Sequence, residues 1–274
     1  MRFRVLGSGS SGNTTLVEAG GTRVLVDAGL GPRELAERVQ SAGVDPASVD
    51  AIVLSHEHQD HARGAPSYSR KWGTKIVGSR GTYAAAGLGA AEIAGYDVLE
   101  AGVPFQLGGM TITGIPTPHD AAQPFAFVIE GGGASLGHAT DFGHLTQRMA
   151  DAFRACDALL IESNYDPAML REGPYPWSLK ERILGRWGHL SNGEAAAYLQ
   201  RDLGRDCRTV VLAHLSRQNN HPEIVRMAVD DALRRRGGPA VSVEITGTEG
   251  TEWLAVAPAA HGSRREAPKQ LALF

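Results

Sequence analysis

Six consecutive residues carry the densest chemistry in the chain: His56, Glu57, His58, Gln59, Asp60 and His61. Two histidines and an Asp-His pair this close together cannot all lie on one face of a helix or a strand, whose side chains recur about every 3.6 or every two residues. A loop wrapped around a cation accommodates them. Neutral imidazole and carboxylate are borderline ligands suited to zinc, manganese or iron, and no thiolate stands among them. The run therefore points to an open catalytic site rather than a closed structural cage. Its chemistry would be hydrolysis by metal-activated water. An isolated histidine is usually a core or loop residue; four candidate ligands at this spacing set the run apart.

Such a loop needs rigid elements behind it. The apolar run 51–54 reads as a strand that delivers the motif, preceded by a helix that Pro32 opens, with Leu35, Val39 and Ala42 at helical spacing and Gly43 at its close. Short β-rich runs at 2–6, 14–18 and 23–27, separated by glycine turns, form a strand meander before it. A second set of strands at 75–77, 110–115 and 125–129 precedes a helix over 146–153 and a strand over 158–162. The order is a duplicated β-then-α pattern. Ser191 and Glu194 form a capping box ahead of Ala195, Ala196 and Leu199, which starts a helix and leaves His189 just before it. The strand 209–213 ends in His214, Pro222 opens a helix reaching about Arg236, and strands near 240–245 and 253–256 finish the fold.

The chain has 274 residues, 42% hydrophobic and 21% charged, an ordinary globular composition that allows one large α/β domain or two smaller ones. The start MRFRVLGSGSSGN lacks the apolar stretch of a signal peptide, and no 18-residue apolar run occurs, so a cytoplasmic protein without a membrane segment is expected. Cys156 and Cys207 show no pairing pattern and read as core residues. A net charge of −3 excludes a coat of basic surface, yet leaves room for a local positive track. Candidates for that track are Arg63, Arg70, Lys71, Lys180, Arg182, Arg186 and Arg217. After Pro258 the chain turns small and polar, so residues 1–257 are expected to form the folded domain and 258–269 a flexible linker.

The pattern HxHxDH resembles the signature of the metallo-β-lactamase superfamily, α/β proteins whose αββα sandwich carries metals at the strand ends of one edge. The resemblance implies two divalent ions, Mn²⁺ or Zn²⁺. By it His56, His58 and His119 hold one ion, Asp60, His61 and His214 hold the other, and Asp141 bridges them. Asp60 is also a catalytic candidate. His138 and His144 flank Asp141 but match no ligand of the family. His189 stands where the family has a histidine that contacts the scissile phosphate or protonates the leaving oxygen, and the helix start behind it favours an anion.

Four further segments, GSGSSGN at 7–13, HDAAQP at 119–124, GHLSN at 188–192 and HLSRQNN at 214–220, resemble the YycJ/WalJ type, over residues 1 to about 257. That type implies a 5′ to 3′ exonuclease acting on single-stranded DNA with a 5′ end, in repair after mismatch recognition. Ser10, Ser11, Asn13, Ser191, Ser216 and Asn219 are the substrate-contact candidates on these segments. The chain lacks room for a β-CASP insertion and shows no glycine- and proline-rich exosite arm of the RNase Z type. The final QLALF resembles the peptide by which bacterial replication and repair proteins dock on the sliding clamp. Gln270, Leu271, Leu273 and Phe274 fit, and Ala272 departs from the usual Ser or Asp. The clamp is thus the expected partner. Competing readings are an RNA-processing nuclease of the RNase Z type, a small phosphodiester or thioester hydrolase, and a non-catalytic adaptor for clamp and DNA.

Overall fold

The computed structural model describes residues 1–89 and 91–258. One sheet contains, in spatial order, β1 (Arg2–Gly7), β2 (Thr14–Ala19), β3 (Thr22–Val26), β4 (Ala51–Val53), β5 (Lys75–Gly78) and β6 (Tyr96–Val98). The other contains β7 (Pro104–Leu107), β8 (Met110–Pro116), β9 (Phe125–Gly131), β10 (Ala134–Ala139), β11 (Ala158–Glu162), β12 (Thr209–Ala213) and β13 (Ser242–Ile245). A short β14 (Leu254–Ala255) returns beside β1. Each sheet starts as an antiparallel meander and continues as parallel strands, the parallel pairings running from β3 to β6 and from β10 to β13. This is the duplicated pattern expected from the sequence.

Period-two alternation builds the layers. In β3, Val24 and Val26 point into the core shared by the two sheets, while Leu25 points to the outer layer. Ala51 and Val53 of β4 face inward and Ile52 outward in the same way. On the first sheet the outer layer is closed by α1 (Pro32–Ser41), through Leu35 and Val39, and by α3 (Ala65–Trp72), through Ala65 and Tyr68. On the second it is closed by α5 (Gln147–Arg154), α8 (Asn192–Arg201) and α9 (Pro222–Arg236), through Met149, Phe153, Leu199, Val225 and Val229. The result is an αββα sandwich. Helix α8 begins with the capping box read from the sequence: Ser191 accepts from Glu194 N, and the Glu194 carboxylate accepts from Ser191 N.

Three features depart from the sequence reading. The metal-type run is not wholly a loop: α2 (Gln59–Ala62) closes one helical turn, with the amides of His61 and Ala62 both donating to His58 O at 2.9 Å. The segment Gln-Asp-His-Ala holds no glycine or proline to prevent it. Gly29 makes room for this turn, because a Cβ there would lie 1.6 Å from the Asp60 carbonyl oxygen. Helix α4 (Arg80–Ala85) and strands β6 and β7 are short and carry little periodic signal. The connection from β11 to α8 folds into α6 (Pro167–Glu172) and α7 (Trp177–Leu184). No helix among the described residues is long and apolar enough to cross a membrane. Of the expected linker and clamp peptide, only Pro258 falls within the described residues; residues 259–274, with Gln270, Leu271, Leu273 and Phe274, lie outside them.

Candidate metal centre

The carboxyl ends of six strands from both sheets converge on one edge of the sandwich. Asp27 follows β3, the run His56 to His61 follows β4, His119 lies beyond β8, Asp141 beyond β10, Glu162 ends β11 and His214 follows β12. Strands stop hydrogen-bonding here, so their last side chains are free to point into a common space, as ligand sites of α/β sheets do.

The donor atoms of His56, His58 and His119 lie within 4.8 Å of one another, and so do those of Asp60, His61 and His214. Asp141 groups with His56 and His61, one histidine from each trio, its Oδ2 being 2.9 Å from His61 Nε2. The ring nitrogens facing away from this space are held. His61 Nδ1 lies 2.7 Å from Asp27 Oδ2, His214 Nδ1 2.9 Å from Glu162 Oε1, His56 Nδ1 2.9 Å from Ser55 Oγ, and His119 Nδ1 3.2 Å from the Gly188 carbonyl. Asp27 also accepts from Ser55 N and Oγ at 2.7 and 2.8 Å. Since a carbonyl or carboxylate can only accept, these partners place a proton on Nδ1 and leave Nε2 as the inward lone pair.

Three buried polar atoms in this space have no hydrogen-bond partner: His56 Nε2, His214 Nε2 and Asp141 Oδ2. Each such atom costs about 1–3 kcal/mol in a folded interior. All three point where the other ligand atoms point, and a divalent cation would satisfy them together. Nitrogen and carboxylate donors without thiolate suit such an ion. The residues present therefore fit a divalent-metal centre.

The electrostatics favour a cation as well. Burial, with His61 nearby, holds His56 well below the ordinary histidine range. Burial also presses on His61 and His214, yet Asp141 and Asp27 hold His61 well above that range, and Asp141, Asp60 and Glu162 carry His214 up to about 10. Asp141 stays well below the usual carboxylate range because His214 and His61 outweigh its burial. Protons and a metal ion thus compete for the same electron pairs.

Three of these side chains sit on strained backbone. Asp27, Asp141 and His214 have φ of 60°, 59° and 57°, the only non-glycine residues at positive φ among those described. The left-handed conformation costs about 1–2 kcal/mol for an L-residue, and such strain clusters at functional sites.

His189 stands beside the centre, its Nδ1 2.7 Å from Glu162 Oε1 and its side chain 22% exposed. Burial lowers its pKa, but Glu162 and Asp141 raise it above the ordinary value. Ser10, Asp120, Asn164, Arg182, His189 and Ser216 line a cleft of about 200 Å³ that opens here. Ser11 is exposed on the same glycine-rich loop, between the guanidinium groups of Arg63 and Arg217.

Three of the substrate-contact candidates are engaged inside the protein. Asn13 is buried against the centre, with Nδ2 3.2 Å from Gly9 O and 3.0 Å from His61 Nε2, so it ties the glycine-rich loop to the ligand turn. Ser191 caps α8, and the fully buried Asn219 donates to Ser216 Oγ at 3.3 Å. Serine and asparagine serve caps and turns as readily as ligands, which sequence spacing does not separate. Lys180 likewise leaves the basic track, because it is buried and donates to Arg171 O at 2.7 Å. His138 is buried 3.1 Å from Thr15 Oγ1, and burial presses its pKa down to about 4, so it is a neutral core residue. Sequence reasoning missed Asp27 and Glu162. The available signal was a carboxylate closing an otherwise apolar strand, VLVD and LLIE.

Residues 22–215 match the family model described as a beta-lactamase superfamily domain. The chain is 34% identical over 236 residues to the exodeoxyribonuclease WalJ of Streptococcus pneumoniae, covering 85% of this chain and 88% of that one. It is 32% identical over 252 residues to the exodeoxyribonuclease YycJ of Bacillus anthracis, covering 91% and 96%. Among solved structures, the metallo-β-lactamase fold protein YhfI from Bacillus subtilis superposes with a TM-score of 0.71 at 17% identity, covering 93% and 99%.

Proposed function

Because the chain belongs to the β-lactamase superfamily, in the branch of the WalJ and YycJ exodeoxyribonucleases, we propose that it removes nucleotides from the 5′ end of single-stranded DNA with the help of divalent metal ions. It is a nuclease of the metallo-hydrolase fold, and its substrate is nucleic acid. The observation that carries the metal-dependent reading is the convergence of seven candidate ligands with three orphaned buried atoms on one strand-end edge.

In this reading His56, His58 and His119 would hold one divalent ion and Asp60, His61 and His214 a second, and Asp141, which groups with a histidine of each trio, would help to hold them. When bound, such ions lower the pKa of water and neutralise charge developing on phosphate oxygens. The chain's own residues do the rest. Asp27 and Glu162 fix the rings of His61 and His214 in the tautomer that presents Nε2 inward. Asp60, whose carboxylate is partly exposed beside His61 and His214, would orient the attacking water. Arg182 and the hydroxyls of Ser10 and Ser216 line the cleft where phosphate oxygens would lie. His189, whose proton Glu162 and Asp141 help to hold, would donate it to the departing 3′-oxygen, so a 5′-phosphate mononucleotide leaves.

The test is digestion of 5′-labelled and 3′-labelled single-stranded DNA, beside a precursor tRNA, in added Mn²⁺. Early release of the 5′-labelled mononucleotide is expected. Cleavage of the tRNA alone would move the function to RNA processing, and cleavage of neither to a small-molecule hydrolase.

The proposal extends to DNA repair in the cytoplasm, with docking on the sliding clamp through residues 270–274, and this part rests on the sequence of the tail. A peptide tether raises local concentration at replicated DNA without altering the centre. Deleting residues 270–274 should abolish clamp binding in a pull-down while exonuclease activity on free DNA persists; clamp binding that survives the deletion would rule the tether out.

A further inference from the structure

We infer that the indole of Trp187 is a stacking platform for a base of the single strand beside the scissile phosphate, an inference that rests on the nuclease reading above. Trp187 is 54% exposed, yet the backbone that carries it is fixed on every side. The Gly188 carbonyl lies 3.2 Å from Nδ1 of His119, and the Arg186 carbonyl 3.1 Å from Nδ1 of His144. Gly188 N donates to Gly185 O at 2.9 Å and His189 N to Ile183 O at 3.1 Å. Gly143 packs so closely beneath the loop that a Cβ there would lie 2.4 Å from the Arg186 carbonyl carbon. An anchored loop holds the root of this aromatic side chain at a fixed place on the surface.

Two observations point to its partner. The residues that follow Trp187, Gly188 and His189, line the cleft of the candidate centre, so the backbone that carries the indole adjoins the cleft wall. Positive charge accompanies it, with the Arg186 guanidinium 5.7 Å from the ring centroid and Arg182 on the cleft wall. An aromatic face with adjacent arginines is the arrangement that holds single-stranded nucleic acid, and it accepts any base because every base has a π-face. That suits an enzyme that must advance along a strand regardless of sequence. Trp177, 62% exposed, does not share the role. Its indole donates to Glu181 Oε1 at 2.8 Å, on the face of α7 opposite Leu179, Arg182 and Ile183, which line the cleft.

The test uses Mn²⁺-loaded, hydrolytically silent Asp60→Ala protein and an oligonucleotide with 2-aminopurine near its 5′ end. Quenching of 2-aminopurine on binding is expected. Adding Trp187→Ala should remove the quench and weaken binding roughly tenfold, whereas Trp187→Phe should keep most of both. In the active enzyme Trp187→Ala should raise KM for single-stranded DNA by a similar factor, with kcat falling far less. Equal affinity and equal quenching with and without the indole would overturn the inference. So would a loss confined to kcat, which would mark the loop as a support for His189. If the protein with Trp187 intact binds no oligonucleotide, the single-stranded DNA reading itself fails, separately from the role of the indole.

Discussion

Replacing Asp60 with alanine should lower DNA hydrolysis on the order of a thousandfold or more and leave the fold standing. The chemical loss follows from position. Asp60 Oδ2 lies 3.6 Å from both His61 Nε2 and His214 Nε2, so it is the carboxylate of that trio and faces the space where water must be oriented. The structural tolerance follows from what remains. The side chain is 26% exposed, and the contact that ties this turn to the glycine-rich loop, Asn13 N to Asp60 O at 2.7 Å, is made by the backbone. Without metal, the attraction of Asp60 to His214 and His61 outweighs its burial and its repulsion by Asp141, so its removal gives up part of that attraction at a partly exposed edge of the centre. The unfolding midpoint should stay within about 3 °C of the parent, equivalent to about 1 kcal/mol in a protein of this size. Full activity in the variant would refute the assignment, and a collapsed midpoint would make the activity loss uninterpretable as chemistry.

His189→Ala should lower kcat by about 10²- to 10⁴-fold, the range for loss of a general acid, with a smaller change in KM. It should also change the shape of the pH profile. Because Glu162 and Asp141 outweigh burial and raise the pKa of His189, the ring keeps its proton to higher pH than an ordinary histidine does. The parent's kcat should therefore fall as pH rises through that raised pKa, and the variant should lack this alkaline limb. Glu162→Gln should move the limb to lower pH, since the largest charge holding the proton is gone. A parallel fall in rate at every pH, with the limb unmoved in both variants, would assign His189 to binding rather than proton transfer.

The parts of the centre legible in the sequence are those that local spacing encodes. His56 to His61 declare themselves within six residues, and the capping box at Ser191 and Glu194 places His189 before a helix. His119, Asp141 and His214 came from family resemblance, and the structure brings all three to the same edge. Asp27 and Glu162 were illegible for a physical reason: each acts on a histidine 34 or 52 residues away, and only the pairing of β3 with β4 and of β11 with β12 brings them together. Asn13, Ser191 and Asn219 show the converse limit, because burial bears on whether a polar side chain braces a loop or meets a ligand, and local spacing does not encode burial. The arm of α6 and α7 escaped notice since its helices are short and only half buried, which leaves no clear apolar stripe.

Asp27, Asp141 and His214 hold their side chains on left-handed backbone that glycine would occupy without strain. At these three positions the residue that best suits the backbone conformation and the residue that best suits the reaction are different residues. A lineage for which the reaction ceased to matter would be free to exchange Asp141 or His214 for glycine, relieving the backbone strain as the ligand is lost, whereas at Asp27 the exchange would also orphan the buried donors of Ser55. A descendant that keeps aspartate, aspartate and histidine at all three is one in which selection is still paying attention to the centre.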